Sequence, residues 1–315
     1  FVLTVFTTPY VLLPVMARLS SLSPSLEESA RLLGRRPPAV FRTVVLPQIV
    51  PSITAGALLV FLYTVSEFGA VTVLRYDTLI LAERHDIVST LMHEDTVRYA
   101  RHFQDRLVAG NAAANGYLYH AWLGIKDKND PSPWVRYERS MARAWQCAAA
   151  RVNVSLAAQG RADRMRMLPA GVALADLVDQ AARGSVAGIS AGSAAATIDR
   201  LFTDALHLSP LGEYYMSLVT YASLHKRSPA GAWAPAGVSA QQAASLQAVA
   251  WQSVSAWVNA NTVEPTMSQC QAAMREQLCT AYASYSGQTS KEALCIARFG
   301  EASQINPFHY DATTD

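Results

Sequence analysis

The hydrophobic pattern changes character at Leu74–Leu81. Before that stretch, Phe1 to Ala17 carries no charge and is rich in Val, Leu and Phe, and Thr43 to Ser66 forms a second uncharged run. A bilayer span needs about 20 predominantly apolar residues. The second run meets that length around an apolar core of Ile53 to Val65, and Gly56 is tolerated as in other membrane helices. The first is slightly short, but it begins at Phe1 rather than Met, so its start is expected to be cut off. It lacks the basic flank and small-x-small cleavage site of a signal peptide. Two membrane-spanning helices are therefore expected, at about 1–18 and 49–74.

After Leu74 the spacing becomes that of a water-soluble α/β protein. Thr78–Ala82 is a short apolar run with the character of a buried parallel strand. Asp86 to Leu107 is spaced for one broad helical face and is stopped by Gly110-Asn111. Further strands are expected at Gly116–Trp122 and Arg164–Pro169. Further helices are expected at Trp134–Ala157, Leu174–Ala182, Gly212–Leu224 and Gln241–Asn261, with a Gly/Ser/Ala-rich loop over 184–196. Strands alternating with helices predict a three-layer, flavodoxin-like parallel sheet. The chain then divides into a membrane segment (1–76), an α/β domain (77–230) and a C-terminal helical extension (231–315).

Composition sharpens this division. The 315 residues are 51% hydrophobic and 16% charged, and the scarcity of charge is concentrated before residue 75. A net charge of +2 and the lack of a basic run with interleaved aromatics exclude nucleic acid as a partner. Nothing points to a cofactor. Cys147, Cys270, Cys279 and Cys295 form no C-x-x-C pair. Free buried thiols are the expected state, with a disulfide among the last three open if the region is exported.

The polar loop between the two spans holds Arg18, Arg31, Arg35, Arg36 and Arg42 against Glu27 and Glu28. By the positive-inside rule it is cytoplasmic, so the chain beyond Leu74 starts on the periplasmic side of a bacterial inner membrane. Within the loop, a short amphipathic helix follows Pro24-Ser25 and ends at Gly34 and Pro37-Pro38. The pattern Glu28-Ser29-Ala30, Gly34 and Val44-Val45-Leu46-Pro47 resembles the EAA loop of binding-protein-dependent ABC transporter permeases, with Ser29 and Val44 as small departures. Ser66-Glu67-Phe68-Gly69-Ala70 is similar to the iron and thiamine branch of that family. The resemblance implies an ABC ATPase docked at Glu28, Ala30, Gly34, Leu46 and Pro47, with membrane lipid around residues 1–76. It covers only the end of a permease.

In a parallel sheet the chemistry gathers at the carboxyl ends of the strands. That makes Glu83, His85, His120, Trp122, Asp204 and His207 the candidate site residues. In Asp204-Ala205-Leu206-His207, a carboxylate three residues before an imidazole can hold Nδ1–H and leave Nε2 free as a base. The stretch Leu201–Tyr215 resembles the last conserved block of SGNH/GDSL hydrolases. That resemblance implies ester or acyl hydrolysis, with Asp204 orienting His207. The family's Gly-Asp-Ser nucleophile block has no counterpart, and Glu83-Arg84-His85-Asp86 stands where Gly-x-Asn-Asp is expected. The expectation is an inactive hydrolase-like fragment fused to a permease remnant. The alternative is a permease component that couples an ATPase to uptake of iron or a similar solute.

Gly188-Ile189-Ser190-Ala191-Gly192 matches a nucleophile elbow in letters, but it lacks the strand–turn–helix setting. The acids and histidines over His85–His102 lack metal-ligand spacing, so no metal site is expected.

Overall fold

The computed structural model describes residues 15–20, 29–30, 32–55, 77–83, 86–301 and 303–311. The chain forms two compact units, Phe1–Arg75 and Tyr76–Asp315. Among the described residues no helix is long and apolar enough to cross a membrane. The expected spans at about 1–18 and 49–74 lie largely outside those residues.

In the first unit, α1 (Pro37–Val40) runs directly into a π-turn over Phe41–Val45, and helix continues to residue 55. The wide turn has a sequence cause. Pro47 and Pro51 have no backbone N–H to give, and a proline ring crowds the carbonyl one turn back. A π-turn, closed here by Leu46 N–H donating to the Phe41 carbonyl, relieves the register without ending the helix.

The second unit is built on a three-stranded parallel sheet of order β1 (Thr78–Ala82), β2 (Asn115–Tyr119), β3 (Met165–Leu168). In register, Leu79 lies opposite Gly116, and Leu118 lies opposite both Leu81 and Met167. Helices follow in the order α2 (Ile87–His93), α3 (Thr96–Gly110), α4 (Ser132–Ala158), α5 (Ala170–Ala182), α6 (Ala194–Leu201), α7 (Pro210–His225), α8 (Ala240–Ala260), α9 (Met267–Ala273), α10 (Cys279–Ser286) and α11 (Glu292–Arg298).

Two elements depart from the sequence reading. The single helix expected over Asp86–Leu107 is two, because the chain turns extended at Glu94 and α3 restarts after Asp95. The Gly/Ser/Ala-rich loop ends early, because the Ser193 hydroxyl accepts from Ala196 N–H and so caps α6.

Helix α4 is the spine. It is about 40 Å long by helical rise. Trp134, Met141, Trp145, Val152 and Leu156 are fully buried on it. Helix α5 packs beside it, and Arg139 ties the pair by reaching Asp176 (2.7 Å) and Asp179 (2.9 Å). Near its far end the buried Asn153 amide stands in for a neighbouring strand. It donates to the Met165 carbonyl and accepts from Met165 N–H, both at 2.8 Å, so part of the outer edge of β3 is satisfied by a side chain.

The thiol expectation is corrected. Cys147 on α4 is bonded to Cys270 on α9, and Cys279 on α10 to Cys295 on α11. All four are fully buried, which is why their composition and spacing looked like ordinary core cysteine. Cys147–Cys270 closes a 123-residue separation and Cys279–Cys295 a 16-residue one. Loop-closure entropy assigns the shorter about 3 kcal/mol and the longer about 5 kcal/mol. Under denaturing, non-reducing conditions the protein is therefore expected to show no thiol reactive to Ellman's reagent, and four after reduction. Reduction is also expected to lower the denaturant midpoint of the second unit. Thiols titrating before reduction would contradict the pairing.

Candidate functional site

The chain beyond β2 does not stay in the sheet. From His120 it runs across the carboxyl ends of the strands to Pro131, and side chains hold it from several sides. Trp134 Nε1–H donates to the Leu123 carbonyl at 2.7 Å, Glu138 Oε1 accepts from Leu123 N–H at 2.8 Å, and Tyr285 O–H donates to the Gly124 carbonyl at 2.7 Å.

The segment Thr203–Leu208 docks on this crossing. Trp122 Nε1–H donates to the Leu206 carbonyl at 3.0 Å, and Ile125 N–H to the Ala205 carbonyl at 2.8 Å. Gly212, at the start of α7, has no room for a side chain because a Cβ there would strike the Leu201 carbonyl. This packing need accounts for the glycine in the Ser209-Pro210-Leu211-Gly212 start, where Ser209 caps the helix.

On that loop, Asp204 Oδ2 lies 2.6 Å from His207 Nδ1, while Oδ1 accepts from the backbone N–H of His207 (2.7 Å) and Leu206 (2.6 Å). The backbone N–H of His207, its imidazole and the Leu206 N–H together hold the Asp204 carboxyl well below the usual carboxylate range. With the carboxylate accepting, Nδ1 carries the proton and Nε2 presents its lone pair. Both side chains are exposed. The arrangement is an acid–base pair that can take a proton from a hydroxyl brought to Nε2.

Of the other candidates, Trp122 belongs to this site as a backbone clamp. Glu83 is half-buried just past β1. Glu28 and His85 lie outside the described residues.

His120 is not a pocket residue. It is fully buried, packed against Trp145 with ring centroids 5.7 Å apart, and no Cβ fits at Gly171 because it would lie 2.6 Å from Nε2. Burial pushes its pKa down to about 3. Glu138 Oε2 approaches Nε2 to 3.4 Å, within ion-pair reach but too poorly aligned for a hydrogen bond, and both ring nitrogens lack a partner among the described residues. Desolvation raises Glu138 well above the usual range. The pair is therefore read as two neutral groups, and the signal that misled was position after a strand without regard to burial.

Ser190 is also structural. Its hydroxyl donates to the Ala181 carbonyl (2.9 Å) and accepts from Val186 N–H (3.1 Å), which closes the turn after α5. Among the described residues no group of three His, Cys, Asp or Glu could hold a metal ion.

In the first unit, Gly34 has φ +78° and the Arg35 N–H returns to the Ala30 carbonyl at 3.3 Å, a left-handed helix end that favours glycine. Ala30 is buried, whereas Leu32, Leu33 and Phe41 are exposed and apolar around the same turn.

Comparison with known proteins finds similarity in this first segment. Residues 1–80 match the binding-protein-dependent transport system inner membrane component family. The Fe(3+)-transport system permease protein FbpB 2 of Haemophilus influenzae is 40% identical over 81 residues, 26% of this chain and 16% of that protein. The inner membrane ABC transporter permease protein YdcU of Escherichia coli is 45% identical over 60 residues, 19% of each chain. The sulfate transport system permease protein CysT of Salmonella typhimurium is 43% identical over 63 residues, 20% of this chain and 23% of that protein. The chain thus spans less than a quarter of the length of these relatives. No solved structure matches the chain. The hydrolase resemblance gains no support from these comparisons.

The buried His120–Glu138 pair sets a pH dependence. Unfolded His120 binds a proton below about 6.5 while the folded ring stays neutral to about 3, so this group costs stability as pH falls through that window. Unfolded Glu138 releases its proton above about 4.5 while the folded carboxyl keeps it, so this group costs stability as pH rises above that value. The two slopes oppose each other between about 4.5 and 6.5. Stability of the second unit is expected to peak there. In Glu138→Gln the alkaline decline should become shallower, because Asp86 and the buried tyrosines still contribute to it, and the acid limb should remain, as measured by chemical denaturation across pH. An unchanged alkaline limb in that variant would refute the neutral-carboxyl reading.

Proposed function

We propose that residues 1–80 act as the ATPase-coupling end of an inner-membrane ABC permease, and that the chain serves ATP-driven solute uptake. The observation that carries this reading is the family match over residues 1–80, which coincides with the loop pattern Glu28-Ser29-Ala30, Gly34 and Leu46-Pro47. The left-handed turn at Gly34 and the exposed apolar Leu32, Leu33 and Phe41 fit a loop that seats in a cleft on a partner. Of the relatives described above, one is named for iron and another for sulfate, so no particular solute follows from them. In this reading the second unit lies on the periplasmic side. The arginine-rich loop on the opposite side of the Thr43–Ser66 run supports that orientation, as do the disulfides Cys147–Cys270 and Cys279–Cys295, which persist in oxidising compartments.

A specific observation favours a second reading for the second unit alone. The Asp204–His207 pair has the geometry of the acid and base of acyl hydrolysis. We infer a hydrolase-like domain of three-layer α/β type that keeps this pair without a nucleophile block, and is therefore inactive.

The coupling reading is tested by purifying the full chain from membranes. An ABC ATPase should co-purify with it and be lost in Gly34→Val, which cannot adopt the left-handed turn without about 1–2 kcal/mol of strain. Retention of the ATPase by that variant would count against the loop. In the same preparations, p-nitrophenyl acetate turnover should be negligible and unchanged by His207→Ala. Robust turnover abolished by that substitution would overturn the inactive reading.

A further inference from the structure

From Ser228 to Val263 the sequence contains no Asp, Glu, Lys, Arg or His. The first part of this stretch, 228–238, is a loop of Ala, Pro and Gly around Trp233, which is 80% exposed. A single exposed tryptophan on a loose loop would call for no explanation. This one is held firmly.

Gln247, buried on α8, accepts from Gly231 N–H at 2.9 Å and donates to the Ala232 carbonyl at 3.0 Å and to Tyr214 Oη at 2.9 Å. The backbone just before Trp233 is therefore pinned by an amide whose own hydrogen bonds are satisfied in the core. Two turns, Ala232 N–H to Pro229 and Val238 N–H to Pro235, fix the loop on both sides of the ring. Gly231 at φ +78° and Gly237 at φ +94° supply the left-handed residues that the path requires. The fold thus presents a large amphipathic ring outward on a rigid support.

The chemistry around the ring selects the partner. Nothing from Ser228 through α8 carries a charge that would have to be stripped of water if the tip entered a less polar medium. The nearest charged residues in the chain are Lys226 and Arg227. Both are exposed, and Lys226 is held in the left-handed conformation at the end of α7. An indole beside an uncharged small-residue loop, with cations at its base, is the composition that settles at a lipid–water interface. There the ring lies at headgroup depth and basic side chains meet phosphates.

We propose that the Ser228–Val238 loop is a docking tip that seats Trp233 among the headgroups of an anionic lipid surface, with Lys226 and Arg227 against the phosphates. It rests on the membrane reading above for the nearness of a bilayer.

The test uses the full chain, labelled with 5-fluorotryptophan and placed in nanodiscs that contain phosphatidylglycerol. Trp233→Phe identifies the Trp233 fluorine resonance among those of the six tryptophans. A headgroup-region spin-labelled lipid should broaden that resonance severalfold more than a water-soluble nitroxide does. The double charge reversal K226E/R227E should reduce the lipid effect at least twofold. Greater broadening by the soluble nitroxide would overturn the proposal, and so would protection from both reagents, which would mark a protein contact. If the chain fails to enter nanodiscs, the membrane reading of residues 1–80 is what has failed. The same measurement against phosphatidylglycerol vesicles then decides the tip alone: lipid broadening there retains it, and its absence ends it.

Discussion

The second unit depends on how one buried carboxyl is satisfied. Glu138 is brought under the carboxyl ends of the strands by the apolar stripe of α4, and there it takes the Leu123 N–H at the point where the chain leaves the sheet. A peptide crossing the end of a parallel sheet has lost its ladder partners, and an unpaired buried amide costs about 1–3 kcal/mol. Glu138 on one side and Trp134 and Tyr285 on the others restore those partners, so the crossing becomes as fixed as a strand. The Thr203–Leu208 loop then needs only to lie against it. Keeping Glu138 and His120 neutral avoids placing charges in that core, and polar groups rather than hydrocarbon fix the register of the crossing.

The acid–base pair itself depends on much less. Asp204 is satisfied within its own tetrapeptide, accepting from the two amides that follow it and from the imidazole they carry. Such a turn forms wherever the backbone path allows it and asks nothing of any strand preceding Thr78. The contact between the two side chains is therefore, by itself, weak support for catalysis. The position of the pair is different in kind, because it is set over a long range through Trp122 and Ile125.

This split between local and long-range causes explains what the sequence revealed. The strands at Thr78–Ala82 and Met165–Leu168 and the long helix α4 follow from short-range pattern, and so do the Asp204–His207 contact and the Gly34 turn. Other features depended on partners distant in sequence. His120 sits after a strand like a site residue, yet Trp145 and Gly171 close over it. Cys147 finds Cys270 across 123 positions, which no spacing rule could pair. The break at Glu94–Asp95 interrupts a helical pattern whose apolar spacing continues across it, so periodicity alone gave one helix. Gln247 is one of several uncharged polar residues on α8, and only its contacts with Gly231 and Ala232, distant in sequence, set it apart.

On the proposed reading the chain must satisfy two chemical environments at once, and its residues sort accordingly. Arg18, Arg31, Arg35, Arg36 and Arg42 precede the uncharged run of Thr43–Ser66, and all four cysteines follow it. Arginines crowded into a short loop beside a span oppose translocation of that loop, whereas a long folded domain crosses regardless of its arginines, and disulfides persist on the side where thiols are oxidised. These constraints arise from unrelated physics, a membrane potential and a redox poise, yet they divide the chain at the same place. If that reading holds, the uncharged run is what lets an arginine-rich loop and a disulfide-stapled α/β unit share one backbone in two solvents. What the second unit contributes then depends on the surface it turns toward that boundary, where Trp233 on its pinned loop is the side chain best suited to meet lipid.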